Sequence, residues 1–200
     1  SVQRALNMVG AKDTKISHDQ ADIENAGRVV LPGVGAFGDG MKNLEERELV
    51  STLQKYAESG RPILGVCLGM QLIMSQSEEF GLHAGLDLVP GNVRRLESDT
   101  KGGFKIPHIG WNALEKSSGN SAGTWDETVL DGIEEGASMY FNHSFIVVPE
   151  DQSVSLATTN YGKDAYCSVL RMDNITGAQF HPELSGEDGM RLYRNFIHNS

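Results

Sequence analysis

Cysteine is scarce in this chain: of 200 residues only Cys67 and Cys167 carry a thiol. Two isolated thiols make no disulfide framework, so a reduced, cytoplasmic protein is the expectation. Basic clusters are lacking too. Seventeen Lys and Arg stand against 27 Asp and Glu, and the net charge of −10 argues against nucleic acid or an anionic membrane as partner. No apolar run approaches the length of a membrane span, and none resembles the core of a secretory leader. His, Cys and acidic residues nowhere cluster at metal-ligand spacing, so neither a metal nor another cofactor is expected. The glycine-rich segment Pro32–Gly38 lacks the Gly-Lys-Ser/Thr ending of a phosphate loop. It reads either as a plain strand-to-helix connection or as a strand end whose backbone N–H groups face a ligand.

What the chain does have is the stretch Pro62-Ile63-Leu64-Gly65-Val66-Cys67-Leu68-Gly69-Met70-Gln71. Ile63, Leu64 and Val66 form an apolar run suited to a strand covered on both faces. Gly65 and Gly69 flank Cys67 as Gly-x-Cys-x-Gly, the pattern of a nucleophile elbow with sulfur in place of a hydroxyl. The flanking residues must be small because such a turn brings strand and helix backbones together. Cys67 would then stand at a helix N-terminus, where unpaired N–H groups favour a thiolate. The pentapeptide taken alone also fits a buried structural cysteine.

Around this stretch, strands and helices alternate. Helical spacing covers Ser1 to Val9 and ends at Gly10, a strand is expected near Lys15–His18, and Arg28–Leu31 reads as a second strand. Helical material runs from Asp39 to Ser59, and the elbow helix from Leu68 to about Ser75. After Glu79 the helical period vanishes. Short strands are expected at 92–96, 105–109, 139–148, 154–159, 165–171 and 175–180, with surface loops at 99–104 and 115–123. A closing helix spans 187–198 with Met190, Leu192, Tyr193, Phe196 and Ile197 inward. The pattern predicts an α/β fold with a parallel sheet between helices, all within one domain of residues 1–200. A domain of this type should begin with a strand, whereas Ser1 already opens a helix, so residues are expected upstream of Ser1.

The second informative stretch is Gly177-Ala178-Gln179-Phe180-His181-Pro182-Glu183. An extended backbone sends residues i and i+2 to one side, so His181 and Glu183 share a face. A carboxylate beside an imidazole fixes its tautomer and stabilises its cation. Alone, His-Pro-Glu fits a surface loop equally well. Together with the elbow it completes a candidate Cys67–His181–Glu183 triad. His18, His83 and His198 read as surface residues, and Cys167, within an apolar strand, as inert.

The elbow, the His-Pro-Glu and the α/β then β-rich layout resemble class I (triad) glutamine amidotransferases, which have a flavodoxin-like, mostly parallel central sheet with added antiparallel strands in the C-terminal half. Leu31–Phe37, Pro107–Asn112 and Tyr140–Ser144 are similar, more narrowly, to the glutaminase subunits of imidazole glycerol phosphate synthases. That resemblance implies Cys67 as nucleophile, His181 as acid/base and Glu183 as its orienting partner. It implies an oxyanion site at Val34, Gly35 and Leu68, and glutamine contacts at Gln71, Glu79, His143 and Ser144. It places His108, Trp111, Asn112, Asn142 and Leu184 near a partner. It also implies hydrolysis of L-glutamine to L-glutamate and ammonia, with ammonia passed directly to a (β/α)8-barrel cyclase in a heterodimer of histidine biosynthesis, since free ammonia protonates in water and loses its nucleophilicity.

Two departures bear on the partner. Leu184 follows His-Pro-Glu where the family usually has a basic residue, and Asn142 stands where it often has an apolar one. Similar amidotransferases supply ammonia to enzymes modifying surface-polysaccharide sugars, which is the runner-up reading. A cysteine peptidase or γ-glutamyl hydrolase on the same scaffold, or a non-catalytic binding module, are further alternatives.

Overall fold

The computed structural model describes residues 1–97, 102–119 and 123–199. In chain order the elements are α1 (Val2–Met8), α2 (Gln20–Asn25), β1 (Val29–Gly33), α3 (Phe37–Glu46), α4 (Leu49–Glu58), β2 (Ile63–Cys67) and α5 (Leu68–Leu72). Then follow β3 (Met74–Ser77), β4 (His83–Ala84), β5 (Val89–Arg95), β6 (His108–Ala113), β7 (Glu115–Lys116), β8 (Ser138–His143) and β9 (Phe145–Pro149). The chain closes with β10 (Ser155–Tyr161), β11 (Asp164–Met172), β12 (Ile175–Ala178) and α6 (Gly186–Asn199).

The main sheet runs β1-β2-β12-β11-β9-β5-β3-β4, with β10 and β7 added beside β11, and β6 pairs with β8 in a separate two-stranded sheet. Its ladders are mixed. β1-β2, β2-β12 and β3-β5 are parallel, and the other ladders among the described residues are antiparallel. The parallel part is therefore narrower than the sequence suggests. Beyond Ser77 the described residues form no α-helix before α6 to carry the chain back across the sheet, and strands joined by short connections return antiparallel.

β2 is buried at all five positions, which explains its unbroken apolar run. Leu64 and Val66 pack on one side with Phe141, Phe180 and the inner face of α6, namely Leu192, Tyr193 and Phe196. Ile63 packs on the other with Phe37, Met41, Leu53, Tyr56 and Met70 from α3, α4 and α5. A strand clamped between two apolar layers is held rigidly, and its C-terminal residue is Cys67.

Four local expectations are corrected. Residues 15–18 form no strand, because β1 is the edge of the sheet and no described strand lies beyond it to supply ladder partners. The helix expected over 39–59 is two helices, divided where Glu48 takes a left-handed φ of 56°. The elbow helix stops at Leu72 instead of Ser75, since Met74–Ser77 pairs with β5 and that pairing overrides helical propensity. The strand expected over 139–148 is interrupted at Ser144, giving β8 and β9 different sheets. Of the expected surface loops, residues 99–101 and 120–122 lie outside the described residues, and part of the second is the short strand β7. No helix among the described residues is long and apolar enough to cross a membrane.

Candidate active site

Cys67 joins β2 directly to α5 with φ 54° and ψ −109°, a conformation that L residues rarely adopt. Strain of this kind survives only where the surroundings enforce it. They do so through the two flanking glycines. A Cβ on Gly65 would stand 2.7 Å from the Gly69 carbonyl carbon and oxygen, and one on Gly69 would run into the Leu31 carbonyl oxygen. The Gly-x-Cys-x-Gly spacing is thus the steric condition for folding the helix back over β1 and β2.

The same sheet register positions the candidate oxyanion site. Gly33 is paired with Cys67 across the parallel β1-β2 ladder, so Val34 and Gly35 continue immediately beyond the sulfur-bearing residue. Gly35 has φ 103°, a value that favours glycine, and the Val34 side chain points into solvent. Leu68 opens α5, where its N–H has no partner within the helix. Glu79 accepts a hydrogen bond from the Phe37 N–H at 2.7 Å, which ties the start of α3, and with it the Pro32–Gly38 segment, to the turn after β3.

The imidazole arrives from the far end of the chain. β12 runs parallel to β2 with Ala178 opposite Val66, which carries the following His181 to the same end of the sheet as Cys67. His181 is fixed at its backbone: its N–H donates to the Tyr140 carbonyl at 2.9 Å, and its carbonyl accepts from the Ser185 hydroxyl at 2.6 Å. Ser185 Oγ in turn accepts from the Tyr140 N–H at 3.0 Å. The ring Nδ1 lies 3.1 Å from Glu183 Oε1, and the Tyr193 hydroxyl of α6 donates to Glu183 Oε2 at 3.1 Å. A hydrogen bond with Cys67, then the one with Glu183, raises the His181 pKa to about 10 against the opposing effect of burial. Burial pushes the Glu183 carboxyl upward, but hydrogen bonding led by His181 outweighs it and leaves the group below the ordinary carboxylate range. The arrangement therefore holds a cationic imidazole beside a sulfur, with an ionised carboxylate behind it. Cys67 Sγ also lies 3.9 Å from the Asn142 carbonyl oxygen.

Gln71 follows Cys67 by one helical turn and is buried, its Nε2 donating to the Phe145 carbonyl at 3.0 Å and to Gln179 Oε1 at 3.2 Å. His143 is also buried. Its Nδ1 is 2.9 Å from the Phe145 carbonyl and its Nε2 3.1 Å from the Tyr166 hydroxyl, so neither ring nitrogen is open to a ligand. Burial lowers its pKa to about 3. Ser144 sits at the break between β8 and β9, and its carbonyl accepts from the Leu96 N–H.

The expected partner face divides. Trp111 and Leu184 are each about half exposed, at 58% and 51%, and Asn142 is exposed. Asn112 spends its side-chain amide on the Asn160 carbonyl. His108 differs from expectation: it is 3% exposed, stacked on Tyr161 and Phe141, and burial lowers its pKa to about 4. The pleat explains it, because His108 and the exposed Ile109 point to opposite faces of β6. Among the described residues no three His, Cys, Asp or Glu are placed to hold a metal ion. Sequence reading missed Tyr193, Ser185, Gln179 and Tyr166. Gln179 lay inside the stretch singled out around His181, and Tyr193 was expected to face inward though not to meet Glu183; Ser185 and Tyr166 carried no local signal.

A strained cysteine between a strand and a short helix, with an imidazole–carboxylate pair delivered by a parallel neighbour, is an arrangement suited to nucleophilic catalysis by sulfur. In keeping with it, the chain belongs to the class-I glutamine amidotransferase family, whose model matches residues 2–200. Within that class it is 45% identical to the imidazole glycerol phosphate synthase subunit HisH of Aquifex aeolicus, over 98% of this chain and 89% of the relative. It is 41% identical to the HisH subunit of Syntrophotalea carbinolica, over 98% and 92%. A glutaminase domain of Trypanosoma brucei CTPS with bound acivicin shares the fold at a TM-score of 0.63 and 16% identity, covering 98% of this chain and 83% of that one.

Proposed function

We propose that this chain is the glutaminase subunit of an imidazole glycerol phosphate synthase, hydrolysing L-glutamine to L-glutamate and ammonia for histidine biosynthesis. The observation that carries the reading is the hydrogen-bonded His181–Glu183 pair, delivered by β12 to the end of the sheet where the strained elbow holds Cys67. It is supported by similarity over nearly the whole chain to subunits of that name.

The residues account for each step. The Cys67 sulfur attacks the carboxamide carbon of glutamine, and the carbonyl electrons move onto oxygen. The Leu68 N–H and a backbone donor from Val34–Gly35 receive that oxyanion, one such donor being worth about 3–4 kcal/mol. Protonated His181 gives its proton to the departing nitrogen, which leaves as ammonia while the carbonyl re-forms as a γ-glutamyl thioester. His181, now neutral, takes a proton from water as the water attacks the thioester, and keeps it as the Cys67 sulfur departs as thiolate and glutamate leaves, which restores the starting pair. Glu183 keeps the imidazole in one orientation throughout, and Tyr193 keeps Glu183 in place. The resemblance assigns glutamine contacts to Gln71 and Glu79, with Ser144 contributing backbone.

The ammonia passes to a (β/α)8-barrel cyclase docked on the face bearing Trp111, Asn142 and Leu184. Co-purification identifies this partner: a phosphate-binding barrel supports the assignment, and a sugar amidotransferase transfers the same glutaminase to the other pathway. For the chemistry, the chain is assayed with that partner for glutamate release. Cys67→Ala is expected to abolish release while leaving the complex assembled. Release persisting in this variant, or cleavage of peptides or polyglutamates in preference to free glutamine, would overturn the reading.

A further inference from the structure

One buried polar cluster has no part in the steps above. The Tyr166 hydroxyl, on β11, lies 3.0 Å from His108 Nδ1 of β6 and 3.1 Å from His143 Nε2 of β8. All three side chains are buried. Burial holds both histidines neutral down to acid pH and raises the tyrosine, so the three groups share three protons in fixed places.

Those places follow from the inventory of donors. The Phe145 carbonyl only accepts, so His143 Nδ1, 2.9 Å away, carries its ring proton. His143 Nε2 is then bare and accepts from the Tyr166 O–H. The tyrosine has no second proton, so its oxygen accepts from His108 Nδ1–H. The series runs in one direction, His108 to Tyr166 to His143 to the Phe145 carbonyl.

That carbonyl is shared. It also accepts from Gln71 Nε2 at 3.0 Å, and the same nitrogen donates to Gln179 Oε1 at 3.2 Å. Turning the Gln71 amide over would set its oxygen against two acceptors, so its orientation is determined. Both Nε2 protons are used inside the protein, and Oε1 is the atom left to accept from a ligand one turn of α5 from Cys67. Gln179 keeps its oxygen toward Gln71 even though its own Nε2 is buried with no partner among the described residues. A buried donor left unpaired is costly, and here it maintains the Gln71 orientation.

We propose that Tyr166 is a positioning residue for glutamine binding: by donating to His143 it locks the hydrogen-bond series that anchors the Phe145 carbonyl and presents the Gln71 amide oxygen to an N–H of the substrate. This rests on the glutaminase reading above. Removal of the tyrosine hydroxyl leaves His143 Nε2 unpaired, frees the ring to take the other tautomer, and turns a bare Nδ1 toward the carbonyl. The Phe145 carbonyl, and with it Gln71, then loses its fixed position while Cys67, His181 and Glu183 keep theirs.

The test is Tyr166→Phe, which keeps the ring and removes one oxygen, in the full chain together with its co-purifying synthase. The expected result is a rise of about tenfold in KM for glutamine, the factor carried by one hydrogen bond of ordinary strength. Little change is expected in kcat or in the rate at which iodoacetamide, which makes no use of Gln71, alkylates Cys67. Nitrogen NMR of the histidines supplies the readout that mere packing would not move: His143 is the Nδ1–H tautomer in the wild type and a mixture in the variant. An unchanged KM overturns the proposal, as does a parallel fall in kcat and alkylation rate. An Nε2–H tautomer of His143 in the wild type overturns it even if the variant does not fold. Absence of glutamine turnover in the wild type would overturn the underlying function, and is told apart because the tautomer is read without substrate.

Discussion

The conformation of Cys67 makes a quantitative prediction that is independent of catalysis. At φ 54° and ψ −109° any residue with a Cβ is strained, by about 1–3 kcal/mol. Cys67→Ala removes the sulfur but keeps the Cβ, so the strain stays. Cys67→Gly removes it. At an ordinary buried site, the change from Ala to Gly costs about 0.8 kcal/mol for the lost methyl and about 0.7 for the freedom gained by the unfolded chain. Ala178 is such a site, fully buried in β12 with a negative φ, and Ala178→Gly should destabilise by about 1.5 kcal/mol. At position 67 a strain release of about 2 kcal/mol offsets that loss, so Cys67→Gly should be about 0.5 kcal/mol more stable than Cys67→Ala. The two glycine substitutions thus differ by about 2 kcal/mol. With a urea slope of about 2 kcal/mol per molar, this separates their midpoint shifts by about 1 M. Urea unfolding of the four proteins decides it. If Cys67→Gly falls below Cys67→Ala by as much as Ala178→Gly falls below wild type, the elbow is unstrained and the argument from its glycines fails.

Two further expectations concern protons. His181 is raised from 6.5 to about 10, chiefly by Cys67 and then by Glu183, so the stability it contributes is fully present below pH 6.5 and lost as pH rises through about 10. In Glu183→Gln the imidazolium should deprotonate at lower pH and glutamine turnover should fall. Histidine NMR titration showing His181 unmoved would contradict the role given to Glu183. In the opposite direction, His143 and His108 are lowered to about 3 and about 4, so the unfolded chain binds more protons below pH 6.5. Stability should decline as pH falls from 6.5 toward 4, each histidine adding a slope that approaches about 1.4 kcal/mol per pH unit. A urea midpoint that stays flat between pH 7 and 4.5 would contradict their burial as neutral rings.

The parts of the site that could be read in the sequence are those with short-range rules. Gly65 must be small because of a contact with Gly69 inside the strand–turn–helix itself, whereas Gly69 must be small because the Leu31 carbonyl of the neighbouring β1 lies against it. His181 and Glu183 share a face because the extended chain alternates. The C-terminal helix showed its inner residues through the helical period, and Leu192, Tyr193 and Phe196 are indeed buried. Boundaries were less legible where pairing partners decided them. Met74–Ser77 is a strand because β5 lies beside it, and residues 15–18 are not because no described strand lies beside them.

The sequence by itself determined the candidates for the proposed chemistry: a thiol at a glycine-flanked turn, and an imidazole with a carboxylate two residues on, since each of these patterns is local. The tertiary structure alone decided what steadies that chemistry. Tyr193 reaches Glu183 from α6, Gln71 meets Gln179 across 108 residues, and Tyr166 stands between two histidines from other strands. Such contacts depend on sheet order and register, and these are set by the packing of the whole chain, not by any local pattern of residues.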